Sequence, residues 1–135
     1  MQISAHIRNS AADHTVRVTT AGHDKPLLIA GRPGGGSAVN GGEFLMLALA
    51  TCYCNDLYRE AARLQLTLTE VEVEASADFD GIGLAASNVT YRARIASPAA
   101  PELIEQLLRE TDAVAEVHNT LRTGGAVTRV DWSAT

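Results

Sequence analysis

The stretch LALATCYCNDL, residues 47–57, decides how this chain is read, because it holds both of its cysteines, Cys52 and Cys54, inside an apolar run. FLMLALA, which begins at Phe44, is apolar on every side for nearly two turns, and such a run predicts a covered helix rather than a surface one. The helix is expected from Glu43 to about Leu64, and Asp56, Arg59, Glu60 and Arg63 imply that its C-terminal half reaches solvent. Side chains at i and i+2 of a helix diverge by about 200°. Cys52 and Cys54 therefore cannot bridge each other, and they are badly placed to share a metal. None of His6, His14, His23 or His118 is near them in sequence, so no metal ligand set is expected. Core filler and redox thiol remain open, with at most one cysteine doing chemistry.

Outward from the helix, QISAHIR (2–8) and HTVRVTT (14–20) alternate as a hairpin, and PLLIA (26–30) reads as a third short strand. GRPGGGSAVNGG (31–42) has six glycines but lacks the spacing and the Gly-Lys-Ser/Thr ending of a phosphate loop, so it is read as a linker entering the helix. LTLTEVEVEASADF (66–79) alternates as a strand whose phase slips between Leu68 and Val71, which predicts a bulge. In NVTYRARIAS (88–97), Val89, Tyr91, Ala93 and Ile95 share a face. Ser97 is the expected cap of a second helix, with Leu103, Leu107 and Leu108 as its stripe. A shorter helix ends at Gly124-Gly125, and AVTRVDW (126–132) reads as a closing strand. The fold class is α+β, in a single domain spanning residues 1–135.

Composition removes several function classes. The net charge is −5, with Lys25 the sole lysine, so nucleic-acid binding is not expected. No apolar run approaches the length of a membrane span, and MQISAHIRNS lacks the apolar centre of a signal peptide. Two cysteines do not make a disulfide framework, so the expected compartment is the cytoplasm, where thiols stay reduced.

The order of residues in NGGEFLMLALATCYCN resembles the central-helix motif of the OsmC/Ohr family of osmotically inducible and organic hydroperoxide resistance proteins. Its elements fall on Glu43, Leu45 to Ala50, Thr51 and Cys52, and VHNTLR is similar to the end of the family's second motif. The order of elements agrees over nearly the whole chain. The resemblance implies an OsmC-like α+β fold: N-terminal antiparallel strands, a long buried central helix, further strands, two C-terminal helices and an intertwined homodimer. It also implies a thiol peroxidase with no cofactor, acting on hydroperoxides with a thiol reductant. Cys52 takes the peroxidatic position, Glu43 that of the orienting glutamate, and Arg17 best fits the arginine that holds the thiolate, with Arg8 and Arg32 behind it. The match fails at one place. Ala115 stands where a resolving cysteine is expected, with Glu116 in place of proline and His118 in place of serine. An external thiol or another chain must then resolve the sulfenic acid, or the activity has been lost.

Spacing adds a constraint. Nine residues on one straight helix put Glu43 and Cys52 about 13 Å apart along the axis and half a turn out of phase. Serving one site would require a glutamate from a partner chain or a long arginine spanning the gap, which suits a two-fold dimer packed on the apolar helix half. His118 reads as a helix-surface histidine, with a role over Cys52 as the sharper alternative. Tyr53 and Tyr58 read as packing or interface residues. An enzyme would show a depressed Cys52 pKa; a non-catalytic dimer holding a small hydrophobic ligand at its interface would show an ordinary or raised one.

Overall fold

The computed structural model describes residues 1–132 and divides the chain into two compact units, Met1–Phe44 and Leu45–Thr135. In the first unit β1 (Ile3–Asn9), β2 (His14–Thr20) and β3 (His23–Leu27) form an antiparallel sheet in that order. Its third strand begins earlier than PLLIA suggests. Ala21 and Gly22, at φ of 49° and 80°, make a two-residue turn that sets Thr20 opposite His23 and leaves Leu28 fully exposed beyond the strand. Turn geometry has overridden strand propensity here.

Helix α1 (Gly41–Arg63) is started by a reciprocal cap. The Glu43 N–H donates to Asn40 Oδ1 at 2.8 Å, and the Asn40 N–H donates to Glu43 Oε1 at 3.2 Å. It stops where Gln65 turns left-handed at φ 57° and the Leu66 N–H closes onto the Ala61 carbonyl at 2.8 Å. Leu66 and Leu68 thus belong to the helix exit, and β4 covers only Glu70–Asp78. The phase slip read between Leu68 and Val71 is this change of element; the irregularity in the strand lies at Ser76/Asp78.

In the second unit β4 pairs antiparallel with β5 (Ser87–Ala96), followed by α2 (Pro101–Val114) and α3 (Glu116–Thr123). Tyr53, Leu57 and Ala61 of α1 form the core with Leu107 and Ala115, and Val71, Val73, Tyr91, Ala93 and Ile95 of the sheet pack against them. Asp56 and Glu60 lie in the buried face of α1, not in solvent; each is paired with an exposed arginine, Arg59 or Arg63. Arginine stems reaching out from the surface neutralise these acids, which would otherwise be costly to bury. Leu47, in the apolar N-terminal half, is 57% exposed.

The start of α2 and the C-terminal stretch differ from what the sequence suggests. Ser97 does not cap α2: its hydroxyl donates to the Thr67 carbonyl at 2.6 Å, while Ala100 holds the N-cap position with no side-chain bond and Pro101 opens the helix. Residues 126–131 pair with no strand among the described residues, and an alternating pattern becomes a strand only where its backbone is paired.

One polar network ties β5, α2 and α3 together. The Tyr91 hydroxyl donates to Asp112 Oδ1, and Arg122 Nη2 reaches the same oxygen at 2.7 Å. The Tyr91 bond and then the Arg122 charge hold the Asp112 carboxyl below its ordinary value of 3.8. A depressed folded pKa contributes stability that is complete above the unfolded value and is lost as pH falls through the folded one. Urea melts between pH 5 and pH 2 are therefore expected to show wild type losing more stability than Asp112→Asn. Equal losses would remove the network from the acid response.

Candidate functional site

The i, i+4 spacing of Cys52 and Asp56 puts both on one face of α1. Cys52 Sγ lies 3.6 Å from Asp56 Oδ2 and 3.9 Å from Glu116 Oε2, at the start of α3. Arg59 Nη1 reaches Asp56 Oδ1 at 2.9 Å and Glu116 Oε1 at 3.5 Å. The four side chains form one cluster: a thiol, two carboxylates and a guanidinium. Ala115, fully buried just before α3, belongs to the core against which Cys52 packs. The segment aligned with the second motif is thus beside the motif cysteine, although it brings no second thiol.

The electrostatics do not favour the thiolate. Burial raises the Cys52 pKa above its ordinary value of 9.0; the Val117 backbone N–H works against that shift, and the Asp56 and Glu116 charges add to it. Burial also raises Asp56, helped by the Glu116 charge and opposed by Arg59. Glu116 is lowered, first by its own backbone N–H, and a hydrogen bond with Asp56 assists. Asp56 is therefore the weaker acid of the pair and releases its proton at a higher pH than Glu116 does. The depressed thiol expected of an enzyme is not what these surroundings produce. Cys52, Asp56 and Glu116 could each offer a ligand atom to a metal, with these atoms within 4.8 Å of one another. Arg59, bonded to both carboxylates, already supplies the positive charge there.

The other residues singled out in the sequence have different surroundings. Arg17 is exposed on β2, opposite His6 and Pro26. Arg8 lies on β1 opposite Thr15, and Arg32 Nε donates to the Gly35 carbonyl at 3.3 Å. All three belong to the first unit, as does Glu43, whose carboxylate is engaged in capping α1. Cys54 is half-buried with a free thiol. Tyr53 is a core residue whose hydroxyl donates to the Leu108 carbonyl at 2.8 Å, whereas Tyr58 is 48% exposed. His118 is not a surface histidine. It is 3% exposed, with its ring 4.5 Å from that of Tyr91 in an edge-on contact.

The model of the family described as OsmC-like protein matches residues 34–130. The chain belongs to the OsmC-like family. By sequence, no curated protein matches it. Solved structures extend the likeness to the whole OsmC-like fold. An OsmC-like protein from Mycoplasma pneumoniae superposes with a TM-score of 0.61 at 17% identity, over 90% of this chain and 86% of that one. An organic hydroperoxide resistance protein from Elizabethkingia anophelis gives 0.61 at 16% identity, over 90% and 89%. An organic hydroperoxide resistance protein OsmC from Legionella pneumophila gives 0.59 at 17% identity, over 90% of each chain. At these identities the likeness shows the fold. This OsmC-like chain's chemistry has to be argued from its own side chains.

Sequence reasoning missed Asp56, Arg59 and Glu116 as members of a site. Asp56 at i+4 from Cys52, and Arg59 three residues further, were legible as one helix face. Glu116, distant in sequence, carried no such signal.

Proposed function

We propose that this OsmC-like protein is a thiol-dependent peroxidase that reduces organic hydroperoxides at Cys52, as a homodimer, with an external thiol in place of the resolving cysteine. The observation that supports it most directly is Asp56 Oδ2, 3.6 Å from Cys52 Sγ, in position to take the thiol proton. Sulfur then attacks the terminal oxygen of the hydroperoxide. The S–O bond forms as the O–O bond breaks, and the leaving alkoxide takes the proton from Asp56 to become an alcohol. Cys52 is oxidised to sulfenic acid and the peroxide is reduced. A first external thiol attacks that sulfur, releasing water and leaving a mixed disulfide; a second restores the Cys52 thiol. Val117's N–H, directed at the sulfur, helps carry its transient charge. Glu43 and Arg17 enter this reading as the residues that complete the site when two chains assemble.

Because burial and two acids hold the thiol above its usual range, turnover should rise with pH through neutrality instead of levelling off below it. Asp56→Asn separates the two roles of that residue. It removes a negative charge and an acceptor, so Cys52 alkylation at pH 7 should speed up by up to about ten-fold, the equivalent of about one pKa unit. Hydroperoxide turnover should fall, because the proton relay is gone. Faster alkylation together with faster turnover would remove Asp56 as the base.

A second reading has its own support. The raised thiol and the alanine at position 115 suit a non-catalytic dimer holding a small hydrophobic ligand at its interface. Hydroperoxide consumption by reduced protein supplied with a dithiol separates the two: turnover supports the peroxidase, and its absence across pH 6–9 leaves the binding module.

A further inference from the structure

A second feature of the Leu45–Thr135 unit owes nothing to Cys52 and is independent of the peroxidase reading. Between β5 and α3 lies a cleft of about 450 Å³, a volume in the range of small-molecule sites. Leu49, Val89 and Leu121 give it an aliphatic wall, and the Tyr91 ring adds an aromatic one. Cys52 is not among the residues that line it. His118 also lines it, and neither Nδ1 nor Nε2 of this buried ring has a hydrogen-bond partner among the described residues. Leaving a buried donor or acceptor unmet is destabilising, so an imidazole in this state points to a missing partner. Van der Waals contacts with Tyr91 and Tyr53, at ring separations of 4.5 and 5.6 Å, hold the ring without satisfying either nitrogen.

We infer that this cleft binds a small uncharged apolar molecule carrying one hydroxyl, an alcohol or a phenol, whose hydroxyl bonds to the His118 imidazole. The rest of the lining argues for the absence of charge. Arg122 is the cation at the cleft, and both of its terminal nitrogens are committed. Nη2 donates to Asp112 Oδ1 at 2.7 Å, and Nη1 donates to the Asp112 carbonyl and Asn119 Oδ1, both at 3.2 Å. The Asp112 carboxylate already pairs with this guanidinium, so its charge is largely offset and gives an anionic ligand little pull. Burial, then the Arg122 charge, also lowers the His118 pKa against the pull of Asp112, so the ring presents a neutral donor and a neutral acceptor. Thr90 adds a second hydroxyl to the lining, and the remaining surface accommodates hydrocarbon.

The test uses the full chain, calorimetry and side-chain NMR, with 4-isopropylphenol, cumene and 4-isopropylbenzoate as probes. The phenol should bind about ten-fold or more tightly than cumene, the hydrocarbon that leaves His118 unpaired, and more tightly than the benzoate. Its binding should shift the His118 ring signals and the Leu49, Val89 and Leu121 methyl signals. His118→Phe should reduce the phenol's advantage over cumene to within about two-fold. Val89→Trp, on a strand position that is 43% exposed, should block the cleft and abolish binding without touching the histidine. Equal affinity for phenol and cumene overturns the inference, as does binding that leaves those methyls unmoved. Contacts from a second copy onto the same methyls, seen in a mixed-label sample, would also overturn it, because a dimer interface would then fill the cleft.

Discussion

Cys52→Ser is expected to bring hydroperoxide turnover down to the uncatalysed background, a loss of at least about a hundred-fold, whereas Cys54→Ser should stay within about two-fold of wild type. The asymmetry comes from the helix. Cys52 faces Asp56 and the start of α3, with the Val117 N–H aimed at its sulfur. Cys54, two residues on, points about 200° away and shares none of these groups. A serine at 52 keeps the volume and a hydrogen bond to Asp56, but its hydroxyl does not displace an alkoxide from an O–O bond. Steady-state consumption of cumene hydroperoxide with dithiothreitol reads both variants directly. Loss of turnover in Cys54→Ser alone would move the chemistry to the other thiol. Equal turnover in wild type and both variants would mean that neither cysteine is the nucleophile.

Leu57→Ala should cost about 2–5 kcal/mol of stability, the range for truncating a fully buried leucine. Leu57 and Leu107 are both 0% exposed, and with Tyr53, Ala61 and Ala115 they make the core of the Leu45–Thr135 unit. Deleting three carbons there leaves a cavity that α1 and α2 can close only by moving the sheet residues packed against them. Ile82→Ala in the same unit, at a fully exposed site, should change stability by no more than about 0.5 kcal/mol. Urea melts of the two variants compare them. A loss below about 1 kcal/mol for Leu57→Ala would mean that this core is looser than its burial indicates. Because Cys52 packs against the same cluster, the variant should also alkylate faster as the site opens.

How far the fold can be read along the chain is clear from particular elements. β2 occurs where HTVRVTT alternates, and α3 ends at Gly124 in the left-handed conformation that glycine favours. The misplacements came where two elements abut or where a turn sets the register. The Ala21-Gly22 turn moved β3, and the α1 exit through Gln65 took Leu66 and Leu68 out of β4. Glu43 shows a different difficulty. One glutamate before an apolar helix serves equally as a capping-box partner and as a site residue, and the cap is the role this chain gives it on its own.

The sequence by itself determined the α+β class, the central helix, the separation of Cys52 from Cys54 and the family of the chain. Each of these rests on order and period, which are local. Only the tertiary structure decided what surrounds the thiol and the imidazole. Glu116 is 64 residues from Cys52 and His118 is 27 from Tyr91, and no periodicity links positions so far apart. Desolvation, the opposed shifts of Asp56 and Glu116, and the unmet nitrogens of His118 exist only once α3 has packed against α1 and β5. They depend on distances of a few ångströms set by the whole core.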